Sequence, residues 1–132
     1  IGTRLHDTWA GLAFEQICLM HHNHIEKALG ISGIMTQTFS WLSSGDSKER
    51  AQIDLVIKRT DRVINVCEMK FCKSEYVVMK AYAEKITHRI EVLEKMSPSK
   101  TFHPTLVSAA PVHRNEYSDI FVSQITIDDL FK

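Results

Sequence analysis

The sequence predicts an α/β fold, a mixed central sheet flanked by helices in the order α-β-β-β-α-β-β. Two stretches, 5–29 and 78–96, repeat apolar residues every three or four positions, as helices do. Short apolar runs bounded by polar turn residues lie between and after them, as strands do. Helices interleaved with strands build a sheet covered on its faces.

In the first helix Leu5, Trp9, Leu12, Ala13, Gln16 and Met20 keep the period, and Gly30 stands where a C-terminal cap belongs. Between Thr8 and Met20 the helix is almost wholly apolar, which predicts that more than one of its faces is covered. Residues 34–42 alternate and carry β-branched side chains, and the polar run 43–50 follows as a loop. Runs 52–59 and 63–71 are apolar on both faces, as central strands are. The second helix keeps Met79, Tyr82, Ala83, Ile86, Ile90 and Leu93 in period until Ser97-Pro98-Ser99 breaks it. Residues 106–110 and 120–125 read as strands. Thr126-Ile127-Asp128-Asp129 resembles a capping box before a last turn ending on Leu130-Phe131.

The 132 residues suffice for a single domain with one core, spanning 1–132. Sixteen basic and sixteen acidic side chains cancel. That argues against coating nucleic acid by charge alone, though a local basic groove stays open. Cys18, Cys67 and Cys72 form no C-x-x-C pair and sit in or beside apolar runs, which points to free thiols in a reducing, cytoplasmic setting. No apolar run is long enough for a membrane span and no signal-peptide pattern is present. The chain opens at Ile1-Gly2-Thr3 without an initiating Met, so it reads as a C-terminal piece of a longer protein.

The chemistry gathers in QIDLVIKRTDRVINVCEMKF, where Asp54, Glu68 and Lys70 lie among strand hydrophobes. Glu68 and Lys70 are two apart and share a strand face. A three-residue loop at Thr60, Asp61 and Arg62 would pair Arg59 with Val63 and set Asp54 opposite Glu68; a two-residue loop would set it against Cys67 or Met69. Two ionised carboxylates side by side repel, and an unpaired buried one is costly. A divalent cation such as Mg²⁺ relieves both, so the cluster is expected to cost stability without metal. The alternative is an edge strand, with Glu68 and Lys70 facing water and Asp54 salt-bridged to one of them. Glu15 stands in AGLAFEQICLM, with Gly11 one turn earlier on the same face to let the helix approach the sheet. It reads either as a further partner of that cluster or as a residue on a narrow wet stripe.

Glu15 in an N-terminal helix, then Asp54, then Glu68-Met69-Lys70 on the next strand, resembles the PD-(D/E)XK nuclease superfamily. More narrowly, GLAFEQICLMH, LGISG, TFSWLS, AQIDLVI, VINVCEMKF and ITIDDLF look like the nuclease-like C-terminal domain that follows a P-loop ATPase in a group of bacterial and archaeal proteins. The resemblance spans nearly the whole chain. It implies a restriction-endonuclease-like fold and Mg²⁺-dependent hydrolysis of phosphodiester bonds, with Mn²⁺ as a substitute. It further implies metal ligation by Asp54, Glu68 and the Met69 carbonyl, with Glu15 helping directly or through water. Lys70 would orient the attacking water. The implied partners are nucleic acid, DNA first, and an ATPase domain of the same chain; no membrane is implied. Ile53 stands where the superfamily's name has a proline, and no P-loop is present. A catalytically silent nucleic-acid- or protein-binding module that regulates the ATPase is the alternative function.

Lys73, near the cluster, is the candidate phosphate contact. Lys80, Lys85, His88 and Arg89 are interleaved with Glu84, Glu91 and Glu94 and read as a solvated helix face. His21, His22 and His24 lack a carboxylate or thiol at a metal-ligand spacing and read as a polar helix end. Trp41 reads as core and Tyr76 as a possible stacking residue. No Gly-x-Ser-x-Gly elbow is present, and neither Cys67 nor Cys72 has an activating partner in the sequence.

Overall fold

The structure is a computed structural model that describes residues 3–42 and 52–131, with side chains from Trp9 to Ser40 and from Leu55 to Phe131. The polar run 43–50 and the side chains of Trp41 and Asp54 lie outside these described residues.

The elements are α1 (Thr3–Met20), α2 (His22–Ala28), β1 (Thr36–Leu42), β2 (Gln52–Arg59), β3 (Val63–Lys70), α3 (Lys80–Met96), β4 (Thr101–Ser108), β5 (Ser123–Thr126) and α4 (Ile127–Leu130). The strands form one mixed sheet in the order β1-β2-β3-β4-β5. The first two pairings are antiparallel and the last two parallel. This is the predicted α/β class with its predicted strand order along the chain. β3 is the middle strand, so the edge-strand alternative for Glu68 and Lys70 does not hold.

The two sheet faces divide by residue parity. Leu55, Ile57, Cys67, Met69, Val107 and Ile125 pack with Phe14 and Cys18 of α1. Val56, Val66 and Ile64 meet Ile90 and Leu93 of α3, and Leu106 meets Ala83 and Ile86. Each helix buries a stripe at i, i+3 and i+4 spacing. The expectation that α1 is covered on more than one face fails within this chain: Trp9, Leu12, Ile17 and Met20 are exposed at 66%, 60%, 40% and 76%.

The single helix read over 5–29 is two. It bends at His21, where neither glycine nor proline marks the break. The bend seats His21 and His24 against Phe131, with ring centroids 5.5 and 5.3 Å away. His24 Nδ1 lies 2.7 Å from the Leu130 carbonyl, which ties α2 to α4. The end of α2 was legible. Gly30 takes φ +76°, its N–H donates to the Lys27 carbonyl, and the Ile31 N–H reaches back to Glu26, the paired bonds of a left-handed C-terminal cap.

Gly11 answers differently. A Cβ placed on it would meet nothing within 4 Å, so close approach of α1 to the sheet is not its reason. In a helix interior, Gly11→Ala is therefore expected to raise stability by about 0.5–1 kcal/mol. The readout is a higher urea midpoint at unchanged slope; an unchanged or lower midpoint refutes it.

β4 begins five residues before the predicted strand and runs through Pro104. A proline cannot donate to a ladder, yet here it costs nothing visible. Pairing with β5 starts only at Thr105↔Ser123, and the Pro104 carbonyl still accepts from Val122 N–H. The final turn agrees with its sequence: Thr126 N–H donates to Asp129 Oδ2 at 2.9 Å and the capping box closes.

Candidate functional site

The hairpin between β2 and β3 decides which residues meet. Its loop is Thr60, Asp61 and Arg62, the three-residue form, with Arg62 at φ +69° in the left-handed position that such loops require. Arg59 holds the turn by donating to Asp61 at 3.1 and 2.6 Å, and that bond keeps the Asp61 carboxyl below its ordinary range. The same guanidinium donates to Asn65 Oδ1 at 3.2 Å, and Asn65 Nδ2 donates to Thr105 Oγ1 at 3.0 Å. This polar chain crosses the sheet on the α1 face and locks the register of three strands.

That register runs from Lys58↔Ile64 to Leu55↔Cys67. The ladder ends at Leu55↔Cys67, the register of a three-residue loop and one residue short of Asp54 and Glu68, and β2 is irregular there against β1, between Val56 and Ile53. Glu68 itself is buried at 6% exposure on the α3 face. The Lys70 carbonyl accepts from Ala109 N–H of the β4 side, so strand alternation turns the Met69 carbonyl toward β2. Met69's side chain enters the opposite, α1-facing core.

Arg89 of α3 is the residue that sequence reasoning missed. It is buried at 8% exposure, and its Nη1 donates to Glu68 Oε1 at 2.8 Å. The Tyr82 hydroxyl reaches the same oxygen at 3.4 Å, and Lys70 Nζ stands 4.6 Å from the centroid of the Tyr82 ring. Lys70 is thus steadied by a cation–π contact. The reading of Arg89 as part of a solvated face is corrected, whereas Lys80, Lys85 and His88 are exposed as expected. A signal existed. Tyr82, Ile86, Arg89 and Leu93 follow one another at four, three and four residues, so Arg89 lies on the helix's apolar stripe.

Glu68 thus has a counter-charge within the chain, the Arg89 guanidinium at its Oε1. Tyr76 stands at the rim, half-buried. Burial first, then nearby Cys72 and Glu68, pushes its phenol above the usual range. Lys73 is exposed in the segment after β3.

Glu15 is half-buried on α1, whose Phe14 and Cys18 pack on the sheet face opposite Glu68. Helix and cluster are therefore on different sides of β3. Among the described residues no group of three or more His, Cys, Asp and Glu comes together as a metal cage. Of the ligands that the resemblance implies, Glu68 lies on the α3 face and the Met69 carbonyl turns toward β2, while the Asp54 side chain lies outside the described residues. Two carboxylates and a carbonyl are the oxygen set that Mg²⁺ or Mn²⁺ accepts, and in that chemistry they fit. An apolar hollow of about 200 Å³, lined by Phe39, Val56, Ile64, Leu93 and Phe102, carries none of these groups.

No family model and no curated protein matches the chain. Among solved structures it is similar to one described as a protein of unknown function, AF1548, with a TM-score of 0.55 and 17% identity. The likeness covers 83% of this chain and 63% of that one, so the chain spans less than two thirds of the length of that neighbour. It supports the α/β fold. No helix among the described residues is long and apolar enough to cross a membrane.

Proposed function

We propose that this chain is a metal-dependent nuclease domain of the PD-(D/E)XK type that hydrolyses phosphodiester bonds in DNA. The observation that carries the reading is the buried Glu68 on the central strand, with Lys70 two residues on and a hairpin ladder to β2 that runs up to Leu55↔Cys67, next to Asp54 in the sequence. Asp54, Glu68 and the Met69 carbonyl would hold Mg²⁺, or Mn²⁺ in its place. Such an ion, when bound, polarises a phosphoryl oxygen and lowers the pKa of a coordinated water.

Lys70, poised on the Tyr82 ring, supplies positive charge where the phosphate gathers negative charge in the transition state. Exposed Lys73 lies three residues further along and contacts the phosphate backbone. Glu15, half-buried on α1, would assist that set directly or through water. Cys18, Cys67 and Cys72 are not joined in disulfides, which supports a cytoplasmic setting, and an ATPase domain of the same protein is the proposed partner.

The second reading is a catalytically silent module that binds nucleic acid or protein and regulates that ATPase. The Arg89–Glu68 ion pair favours it, since Glu68 already has a partner within the chain. Cleavage of DNA that needs Mg²⁺ or Mn²⁺ and falls about 100-fold or more in Lys70→Met supports the enzyme. DNA binding that ignores metal and persists in Asp54→Asn, with no cleavage in wild type, supports the module and sinks the nuclease.

A further inference from the structure

We propose that Arg89 is a positioning residue that holds the Glu68 carboxylate in the metal-free site and competes with the divalent cation for it. The proposal deepens the nuclease reading and rests on it. Its ground is the geometry of one carboxylate. Arg89 Nη1 is 2.8 Å from Glu68 Oε1, and both side chains are 8% exposed. A guanidinium brings a planar, delocalised positive charge to the site. A dication approaching Glu68 meets that fixed charge at short range and in low dielectric, where like charges repel strongly.

Lys70 does not fill this role. Its ammonium lies over the Tyr82 ring, and Tyr82 is itself directed at the Glu68 oxygen that Arg89 holds. α3 thus contributes two side chains, Tyr82 and Arg89, to one carboxylate oxygen. Metal entry then requires Glu68 to loosen or share the Arg89 contact. Divalent-cation affinity is set from α3, an element that supplies no metal ligand. Anything that draws Arg89 away from Glu68, a substrate phosphate included, tightens metal binding.

The test is Mn²⁺ titration of wild type, Arg89→Gln and Arg89→Lys, read by melting temperature and by electron paramagnetic resonance of free Mn²⁺. The expected result is that the dissociation constant tightens about tenfold or more in Arg89→Gln and stays near wild type in Arg89→Lys, which keeps the charge. A purely structural Arg89 would lower the melting temperature of Arg89→Gln and leave the dissociation constant unmoved; that overturns the proposal while the nuclease reading stands. If none of the three proteins binds Mn²⁺, both fall. Should Arg89→Gln not fold without metal, refolding on Mn²⁺ addition, followed by circular dichroism, supports the competition. Failure to refold at Mn²⁺ concentrations that saturate wild type overturns it.

Discussion

Arg89→Met is expected to destabilise the folded chain by about 3–5 kcal/mol, because it leaves Glu68 as a buried carboxylate without its guanidinium. The two side chains are each 8% exposed and 2.8 Å apart, so the pair has lost most of its water and the discount for surface ion pairs does not apply. Glu68→Gln should also lose stability, since it strands Arg89. That sign is opposite to what a metal-only view of the cluster predicts, in which removing a carboxylate relieves the metal-free protein. The double replacement Glu68→Leu/Arg89→Met should recover most of the loss, as buried ion pairs exchanged for apolar groups of similar volume commonly do. Urea unfolding of the four proteins gives the comparison. A loss below about 0.5 kcal/mol in Arg89→Met, the size of an ordinary surface change, would mean that the pair is not desolvated.

Leu106→Ala should cost about 2–5 kcal/mol, the range for deleting a fully buried leucine and leaving part of its volume empty. Leu106 is 0% exposed, stands in register with Glu68 on the neighbouring strand and packs against Ala83, Ile86 and Phe121. The cavity would open beside the Glu68–Arg89 pair and admit water to it. Leu106→Ala and Arg89→Met should therefore be non-additive by about 0.5 kcal/mol or more, whereas distant sites add within a few tenths. An additive cycle would show that the two defects relax separately. A loss under about 1 kcal/mol for Leu106→Ala alone would show that β4 and α3 close over the space.

Much of the fold could be read residue by residue, because its signals are local. Thr126 and Asp129 satisfy each other's backbone groups within one turn. Gly30 is needed where the chain goes left-handed at the end of α2. The hairpin was legible only as a choice between a three-residue and a two-residue loop, and the structure takes the three-residue form, with its ladder running to Leu55↔Cys67. The bend at His21 was not legible in this way. Nothing in its own neighbourhood demands it, and its partners Leu130 and Phe131 lie more than a hundred residues further on. The early start of β4 was hidden by Pro104, which reads as a strand breaker until the absence of β5 beside it is known.

The candidate site divides along the same line. Strand alternation alone put Glu68 and Lys70 on one face, because that period is a property of the extended backbone. Which helix covers that face is a matter of packing. α1, with Glu15, went to the side of Cys67 and Met69, and α3 went to the side of Glu68. A buried carboxylate must find a counter-charge, and the one it found was Arg89, 21 residues away on a helix whose azimuth is set by Ile86, Ile90 and Leu93 entering the sheet. Backbone periodicity and turn geometry are short-range and can be counted along the chain. The choice of partner for a buried charge is a competition among everything that packs around it, and it is resolved in three dimensions.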